Sequence, residues 1–225
     1  MKLAALFSGG KDSLYAMYKV RNKHKVTCLV TLKPKKTNSF MFHYPNIELT
    51  KVQAKLMNLP IIFHPTSGVQ EKELQDLKRA LKEAKRKYKI KGIVVGSITS
   101  HYHRLRVEKL CKELKLKPFY PLWRLDQEKY LDKLYKDKFE IIITAIAAYG
   151  LSEDLLGKQI NKDLIKKLRK INEEFPINFS GGGSEFESFV LNCPLFDKQI
   201  KVKRGNRLME NDYTGKYLIK EIELR

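Results

Sequence analysis

A cluster of small and charged residues near the N-terminus has the composition of a phosphate-binding loop. The segment Ser8–Ser13 reads SGGKDS, with two adjacent glycines before a lysine. Glycines let the backbone approach a phosphate closely, and their amides can point together at an anion. Lys11 adds a positive charge, and the hydroxyls of Ser8 and Ser13 can donate hydrogen bonds. Asp12 is itself an anion and therefore suits a Mg²⁺ ion or a helix cap better than a phosphate.

The loop lies between a predicted strand and a predicted helix. Leu3–Phe7 is a short apolar run, and Lys11–Lys23 has the hydrophobic spacing of a helix. A helix that begins directly after the loop turns the positive end of its dipole towards the same anion. This position strengthens the prediction of phosphate binding.

Strand and helix patterns alternate along the first two-thirds of the chain. Such alternation predicts a parallel five-stranded sheet flanked by helices, an α/β fold. Ligands bind these sheets at the carboxyl ends of the strands, which is where Ser8, Leu32 and Gly96 fall. The predicted strands are Leu3–Phe7, Val26–Leu32, Pro60–His64, Gly92–Val95 and Lys117–Leu122, and the helices between them are Lys11–Lys23, Ile47–Asn58, Val69–Tyr88 and Ser100–Leu116.

The pattern changes after about Leu125 and becomes richer in strands. We therefore predict a nucleotide-binding domain over residues 1–124 and a smaller α+β domain over residues 125–225. The elements predicted in the second domain are helices near Asp126–Lys136 and Lys158–Phe175, strands near Phe139–Ala147, Phe186–Asn192, Lys198–Lys203 and Tyr217–Leu224, and a turn at Gly205-Asn206.

Composition limits the classes of function. The sequence contains 45 basic and 25 acidic residues, a net charge of +20, which attracts polyanions and makes an RNA or a ribosome-associated partner worth considering. The chain has no apolar run of the roughly 20 residues that a membrane-spanning helix needs. The N-terminus lacks the pattern of a signal peptide, so we expect a cytoplasmic protein without a membrane partner.

The three cysteines, Cys28, Cys111 and Cys193, are far apart and show neither a CxxC pair nor zinc-ligand spacing. We predict that they are buried as small apolar residues. Their arrangement argues against a disulfide scaffold and against sulfur transfer, which needs a reactive cysteine or a cluster-binding set.

The glycine loop lacks the GxxxxGK[ST] spacing of Walker A and the GxGxxG spacing of dinucleotide sites. It resembles the PP-loop of the N-type ATP pyrophosphatases, in which the loop holds the departing pyrophosphate. The resemblance implies an adenine nucleotide alpha hydrolase (HUP-like) fold, cleavage of ATP between its α and β phosphates, and ATP and Mg²⁺ as cofactors. It also implies that Lys11, Asp12 and Ser13 are catalytic and that Asp12 is the metal ligand. The predicted ATP contacts are Phe7, Ser8, Gly9, Gly10, Lys11, Asp12, Ser13, Leu32, Gly96 and Ile98.

Further motifs make the resemblance more specific. The chain is similar over almost its whole length to the diphthine–ammonia ligases, especially their short archaeal-type members. The segments that carry this similarity are Met41–Asn46 (MFHYPN), Gly96–Ile98, Tyr102–Glu108, Pro121–Trp123 followed by Asp126-Gln127, and Gly183–Ser188 (GSEFES).

The resemblance implies the last step of diphthamide synthesis, a ligase reaction on elongation factor 2. ATP activates the carboxylate of diphthine as an acyl-adenylate, pyrophosphate leaves, and ammonium supplies the nitrogen that displaces AMP. No motif of a glutaminase domain is present, which favours free ammonium as the nitrogen source.

The resemblance and the positions of the motifs also suggest an acceptor site, with residues 125–225 as the acceptor-binding domain. Two positions depart from the family pattern, since Gly182 and His101 stand where we expect acidic residues. The predicted acceptor-binding residues are His43, Tyr44, Asn46, Tyr102, His103, Arg104, Arg106, Glu185 and Glu187, the last two on one face of a strand.

Two other functions fit the glycine loop. The first is a PP-loop enzyme that adenylates a tRNA base, which the net charge favours. We favour RNA less as a substrate because the sequence shows neither an RNA-binding module nor sulfur-handling cysteines. The second is a sensor that holds ATP or AMP without turnover, which would not release pyrophosphate in response to an acceptor.

Overall fold

A computed structural model describes residues 1–34, 46–67, 70–183 and 185–225 of the protein. The chain forms two compact units, Met1–Trp123 and Arg124–Arg225. The predicted residues His43 and Tyr44 lie outside the described residues. No helix within the described part of the chain is long and apolar enough to cross a membrane.

The first unit is built on a five-stranded parallel sheet, and this confirms the predicted fold class. Its strand order is β3-β2-β1-β4-β5. The elements, in chain order, are β1 (Lys2–Leu6), α1 (Lys11–Val20), β2 (Lys25–Pro34), a 3₁₀ turn (Ile47–Leu49), α2 (Thr50–Leu56), β3 (Ile61–Thr66), α3 (Gln70–Tyr88), β4 (Gly92–Val94), α4 (His101–Leu114) and β5 (Lys117–Phe119).

The central strands of this sheet are apolar because both faces are covered. Ala4, Val30 and Ile93 pack in one hydrophobic core with residues of α3 and α4. The alternate residues Leu3 and Ala5 are also fully buried, and they project to the opposite face because side chains alternate along a strand. Continuous burial of this kind is expected of a parallel sheet between helices.

Helix α3 covers the sheet with a stripe of apolar side chains. Leu77, Leu81 and Ala84 recur at helical spacing and are fully or almost fully buried, and Leu74 packs against the same core. The opposite side of the helix carries mostly basic residues. The predicted amphipathic helix is therefore confirmed.

The second unit contains an antiparallel four-stranded sheet of order β7-β6-β9-β8. Burial of Leu134, Ile143 and Leu168 joins two helices and the sheet into a separate core. The elements are α5 (Gln127–Lys136), β6 (Glu140–Ala147), a 3₁₀ turn (Glu153–Leu155), α6 (Lys162–Glu174), β7 (Phe186–Asn192), β8 (Ile200–Asn211) and β9 (Thr214–Leu224).

The predicted turn at Gly205-Asn206 is wrong. Strand β8 continues through these residues, and the hairpin turns between Asn211 and Thr214. A Cβ atom at Gly205 would lie 2.4 Å from the Tyr217 ring of the neighbouring strand. The glycine therefore makes room for the Tyr217 ring of the neighbouring strand, and it does not mark a turn.

The predicted end of the second strand is also wrong. Strand β2 continues beyond Leu32 to Pro34, and Leu32 pairs with His64 of β3 inside the sheet. Sequence reasoning ended the strand early because Lys33 and Pro34 have turn-like character, although a proline is tolerated at the end of a strand.

The carboxylate of Asp76 joins α3 to the end of β3. It accepts a hydrogen bond from the Ser67 amide at 3.4 Å and pairs with Arg79, and only 5% of the residue is exposed. Burial raises the pKa of this carboxyl, but the nearby Thr66 hydroxyl and the bonds from Arg79 and Ser67 outweigh burial and lower the pKa overall. The ionised form is therefore favoured in the folded protein.

Replacement of this carboxylate should destabilise the protein in a pH-dependent way. Because the folded-state pKa is lowered, the stabilisation is present above the unfolded pKa of about 3.9 and is lost as pH falls through the folded pKa. We expect Asp76→Asn to lower the free energy of unfolding by about 1–3 kcal/mol at neutral pH. Urea unfolding across a pH series checks this.

Asp212→Asn, on the exposed hairpin turn, is the matched control and should leave the free energy of unfolding nearly unchanged. A difference between wild type and Asp76→Asn that stays constant down to strongly acidic pH would contradict the role given to the ionised carboxylate.

Candidate active site

The glycine loop lies where the strand order of the sheet reverses. From β1 the chain proceeds to β2 and β3 on one side, and then to β4 and β5 on the other. The loops that follow β1 and β4 therefore leave the carboxyl edge of the sheet in opposite directions and open a crevice between them. This switch point is the usual ligand site of an open α/β sheet.

Gly96 allows the segment after β4 to approach the start of α1 closely. A Cβ atom at this position would lie 2.6 Å from the carbonyl carbon of Asp12 and 2.8 Å from the amide nitrogen of Ser13. Both of those contacts are with backbone, which cannot move aside as a flexible side chain can. A residue without a side chain is therefore required for the segment after β4 to pack against the start of α1.

Hydrogen bonds within the loop fix its shape. The Ser13 hydroxyl donates to the Gly10 carbonyl at 3.0 Å, and the Gly10 amide donates to the Ser8 hydroxyl at 3.3 Å. The Ser8 and Ser13 hydroxyl oxygens lie 3.3 Å apart. Gly9 has a φ of +80°, a left-handed conformation that favours glycine. The loop is thus shaped by its own serines and glycines.

Helix α2 supplies a support that sequence reasoning missed. Gln53 is fully buried, and its side-chain amide donates to the Gly9 carbonyl at 3.0 Å. A Cβ atom at Gly9 would lie 2.5 Å from the Gln53 Oε1 atom and 3.1 Å from the Thr50 Cγ2 atom. No local motif announced this contact, since the two residues are 44 positions apart. The only signal was a glutamine among the apolar positions of a helix.

Lys11 is buried at the first position of α1. It is 2% exposed, and its ammonium lies 3.1 Å from the Asp12 carboxylate, whose side chain is 32% exposed. A buried ammonium is costly unless anions compensate it. The N-cap residue Gly10 has an extended backbone and, because it lacks a side chain, makes no capping bond to the first amides of the helix. The helix end and the lysine together present positive potential to the crevice.

A metal ion would find one carboxylate in this loop. Among the described residues no group of three or more histidine, cysteine or acidic side chains is arranged to hold a metal. Asp12 alone suits Mg²⁺ that arrives with a nucleotide, because such an ion takes one or two carboxylates, water and phosphate oxygens.

Three other predicted ATP contacts have buried side chains. Phe7, Leu32 and Ile98 are each at most 4% exposed. Phe7 also ties the loop to β2, since its amide donates to the Val30 carbonyl at 2.9 Å and its carbonyl accepts from the Thr31 hydroxyl at 2.7 Å. Contact of these residues with a nucleotide stays a prediction.

The predicted acceptor residues of the first unit cluster on the first turns of α4. Ser100 caps this helix by accepting a hydrogen bond from the His103 amide at 3.3 Å. Arg106 stacks on the Tyr102 ring, with its guanidinium carbon 3.5 Å from the ring centroid. Burial, and then the charge of Arg106, lowers the pKa of His103, so its imidazole is neutral at neutral pH.

Arg104 lies among aromatic rings on the same helix. Its guanidinium carbon is 4.5 Å from the Trp123 ring centroid and 5.3 Å from that of Tyr120, and its Nε pairs with Glu108 at 2.7 Å. His101 contacts Trp123 edge-on, with ring centroids 4.9 Å apart. Trp123 thus has a face that accommodates a cation and an edge in contact with an imidazole.

The remaining described acceptor residues serve local structure in addition to any role in binding. Asn46 has a φ of +67° and begins the 3₁₀ turn before α2. The Glu185 carboxylate accepts hydrogen bonds from the amides of Asn178 at 3.1 Å and Gly183 at 2.9 Å. Glu187 lies in β7 opposite Ala145. Glu185 thereby organises the glycine-rich segment before β7, which sequence reasoning did not foresee.

The cysteines lack the character of nucleophiles. Burial raises the pKa of Cys28, Cys111 and Cys193 to about 12 in each case. Almost no thiolate is present at neutral pH, so these thiols are poor sulfur donors. The prediction that they are buried is confirmed.

Comparison with known families agrees with the motifs. Residues 1–118 match the diphthamide synthase N-terminal domain, and residues 126–224 match the diphthamide synthase C-terminal domain. The chain belongs to the diphthamide synthase family.

Several relatives in this family are named diphthine–ammonia ligase, an enzyme that forms a C–N bond. The rat protein is 34% identical over 94% of this chain and 86% of its own length. The human protein is 33% identical over 90% of this chain and 83% of its own length. The predicted relation to the diphthine–ammonia ligases is confirmed.

A relative in Schizosaccharomyces pombe is 33% identical over 89% of this chain, which spans only 36% of that longer protein. The crystal structure of a predicted subunit of tRNA methyltransferase from Methanocaldococcus jannaschii shares 15% identity with this chain. Its TM-score is 0.41 over 86% of this chain and 98% of that one. A structural similarity at that level supports no argument about function.

The contribution of the hydrogen bond from Gln53 to the Gly9 carbonyl can be tested by measuring the free energy of unfolding. Gln53→Leu keeps the side-chain volume but leaves the Gly9 carbonyl without its donor. We expect the free energy of unfolding to fall by about 1–3 kcal/mol, the cost of an unsatisfied buried acceptor. Urea unfolding measures this.

The control is Gln75→Leu, which changes an exposed glutamine of α3 and should shift the free energy of unfolding by no more than about 0.5 kcal/mol. Equal shifts in the two variants would show that the bond to Gly9 contributes nothing specific.

Proposed function

We propose that this protein converts the carboxylate of diphthine on elongation factor 2 into an amide, with ammonium as nitrogen donor and ATP as the source of activation. The observation that carries the proposal is the glycine loop at the switch point, with a buried lysine, in a chain of the diphthamide synthase family. AMP and pyrophosphate are the other products.

The glycine loop would hold the phosphates of ATP. The amides at the uncapped start of α1 and the Lys11 ammonium present positive charge to one small region. Charge grows on the β and γ phosphates as the bond to the α phosphate breaks. Fixed donors that face this charge in a site shielded from water lower the barrier more than mobile water could. The Ser8 hydroxyl, which donates to Ser13, and the Ser13 hydroxyl, which donates to the Gly10 carbonyl, would turn to donate to a bound phosphate.

The carboxylate of Asp12 suits the Mg²⁺ that accompanies ATP. Its position at the first turn of α1 is beside the proposed phosphate site, and its one-third exposure leaves room for an ion. Mg²⁺ supplies charge neutralisation of the phosphates when it is bound. The pair with Lys11 keeps the carboxylate oriented towards the loop.

Activation by adenylation suits an amidation because a carboxylate is a poor electrophile. Its oxygen attacks the α phosphorus of ATP and the bond to the β phosphate breaks, which gives a mixed anhydride and pyrophosphate. Ammonia then attacks the carbonyl carbon and AMP leaves with the carboxylate oxygen.

Diphthine presents both a carboxylate and a quaternary ammonium to the enzyme. Arg104 and Arg106 offer guanidinium groups that match a carboxylate or a phosphate. The rings of Trp123 and Tyr120 offer faces that attract a cation, as the Arg104 guanidinium demonstrates. In the second unit, Glu185 and Glu187 are the carboxylates that the resemblance to the diphthine–ammonia ligases suggests for acceptor binding. With His43, Tyr44 and Asn46 they make up the proposed acceptor set.

Lys11 variants test the phosphate site. Lys11→Met retains the volume of the buried side chain but removes its charge. We expect the rate of acceptor-dependent pyrophosphate release to fall by about 10²–10³-fold, comparable to the loss of one preorganised donor. A coupled pyrophosphate assay with ATP, Mg²⁺, ammonium and diphthine-bearing elongation factor 2 measures the rate.

Lys23→Met, at an exposed position after α1, is the matched control and should retain the wild-type rate. Circular dichroism verifies that both variants are folded. A folded Lys11→Met protein with unchanged turnover would sink the assignment of the glycine loop as the phosphate site.

A further inference from the structure

The positive charge of this protein is concentrated in a small part of the chain. Residues 78–91 and 109–117 together contain 12 basic and 2 acidic residues, a net charge of +10 out of +20 for the whole sequence. These segments are the second half of α3 with the turn that follows it, and the second half of α4 with the start of β5. About one-tenth of the chain therefore carries half of its net charge.

The two segments meet in an open groove. Helices α3 and α4 pack side by side on one face of the sheet, and the groove lies between their C-terminal ends. It has a volume of about 390 Å³, and the residues that line it are Lys82, Lys85, Arg86, Glu113, Leu114 and Lys115.

One cation of the groove is held by a hydrogen bond, and three others form no ion pair with a described residue. The Lys85 ammonium donates to the Leu114 carbonyl at 2.8 Å, which fixes it at the end of α4. Glu113 pairs with Lys78 at 2.7 Å. Among the residues that the structure describes, Lys82, Arg86 and Lys115 form no ion pair. The groove thus has three cations without an ion-pair partner in the described part of the chain and one carboxylate, Glu113, in its lining.

The spacing of these charges is unfavourable for the isolated helix. Lys82 lies three and four residues before Lys85 and Arg86, so like charges are neighbours on the surface of α3. Like-charge pairs at this spacing destabilise a helix. An anion in the groove would relieve the repulsion, whereas a helix face meant only for solvent would alternate its signs of charge.

The groove is separate from the glycine loop. Helix α3 starts at the carboxyl edge of the sheet, after β3, and its C-terminal end leads into the start of β4. The groove is therefore near the amino edge, and along α3 its first lining residue, Lys82, lies about 18 Å from the start of the helix. An anion bound there would not compete with a nucleotide at the switch point.

The residues that line the groove suit a nucleic acid better than an acidic protein surface. The cores of protein–protein interfaces are depleted in lysine and enriched in aromatic residues. This groove has three lysines, one arginine and a single apolar residue, Leu114. Lysine ammonium groups suit phosphates as point charges, and contacts of this kind carry sequence-independent binding to nucleic acid.

We propose that this groove binds the phosphate backbone of RNA, independently of sequence. The choice of RNA over other nucleic acids rests on the proposed function, whose substrate is a factor of translation. Lys82, Arg86 and Lys115 contact phosphates, and Lys85 is held beside them by the end of α4. The groove would keep the enzyme near an RNA-associated substrate without any contact at the active site.

Fluorescence anisotropy with a labelled RNA hairpin tests the proposal in a salt series without ATP. The variant combines Lys82→Gln, Arg86→Gln and Lys115→Gln, which remove the charges but keep polar side chains. Affinity should fall by about tenfold or more, and the slope of log K against log salt should become shallower by about 2–3, as expected for three lost phosphate contacts. The variant should melt at the same or a higher temperature because repulsion on α3 is relieved.

The matched control is the triple variant Lys198→Gln, Lys201→Gln and Lys220→Gln, which removes the same charge from exposed positions of the second unit. It should change affinity by less than about twofold. Equal loss in the two triple variants would show that binding follows net charge alone and would overturn the proposal. Groove-dependent binding of polyglutamate without binding of the RNA hairpin would overturn it in favour of an acidic protein surface.

The Lys11→Met variant separates this proposal from the proposed function. It should bind the RNA hairpin as the wild type does, because the glycine loop takes no part. If the wild-type protein releases no pyrophosphate in any condition while groove-dependent RNA binding remains, the ligase assignment fails alone. If turnover follows the proposal but the groove variant binds RNA unchanged, the groove assignment fails alone.

Discussion

The close approach of Gly96 to the start of α1 is the constraint on which the candidate active site depends. The segment after β4 can lie against the backbone of Asp12 and Ser13 only because Gly96 has no side chain. Strand order places β1 and β4 side by side, and this contact joins the loops that follow them. The glycine loop, the uncapped helix end and the first turn of α4 are therefore parts of one rigid edge of the sheet rather than independent loops.

Lys11 is buried at this same edge of the sheet. Lys11 loses hydration when it is buried and regains only part of that energy from Asp12, whose carboxylate is partly exposed. Two serines, the left-handed Gly9 and the buried Gln53 hold the surrounding loop in one conformation. If phosphate binds there, as we propose, positive groups held in this way would not have to reorganise when it arrives.

Sequence patterns were enough to predict the five-stranded parallel sheet, the amphipathic α3 and the position of the glycine loop, because the pattern of each strand and helix is local and their alternation favours a parallel sheet. Contacts between distant elements could not be read in this way. Gln53 supports Gly9, which is 44 positions away in the sequence. Gly205 was predicted to lie in a turn, but it lies in a strand and makes room for the Tyr217 ring of the neighbouring strand. The family motif and alternation with Glu187 along one strand suggested Glu185 as an acceptor ligand, but Glu185 precedes β7, and its carboxylate orders the segment before that strand. Leu32 appeared to end a strand that continues beyond it.

The central claim is that ATP cleavage to AMP is coupled to amide formation on a protein carboxylate. The most direct test incubates the purified protein with ATP, Mg²⁺, ammonium and diphthine-bearing elongation factor 2. Mass spectrometry follows the factor and chromatography follows the nucleotide. The account predicts that the factor changes by the mass difference between a hydroxyl and an amino group, with one AMP formed for each modified factor. An unmodified factor, or AMP that forms only when bulk tRNA replaces the factor, would contradict it.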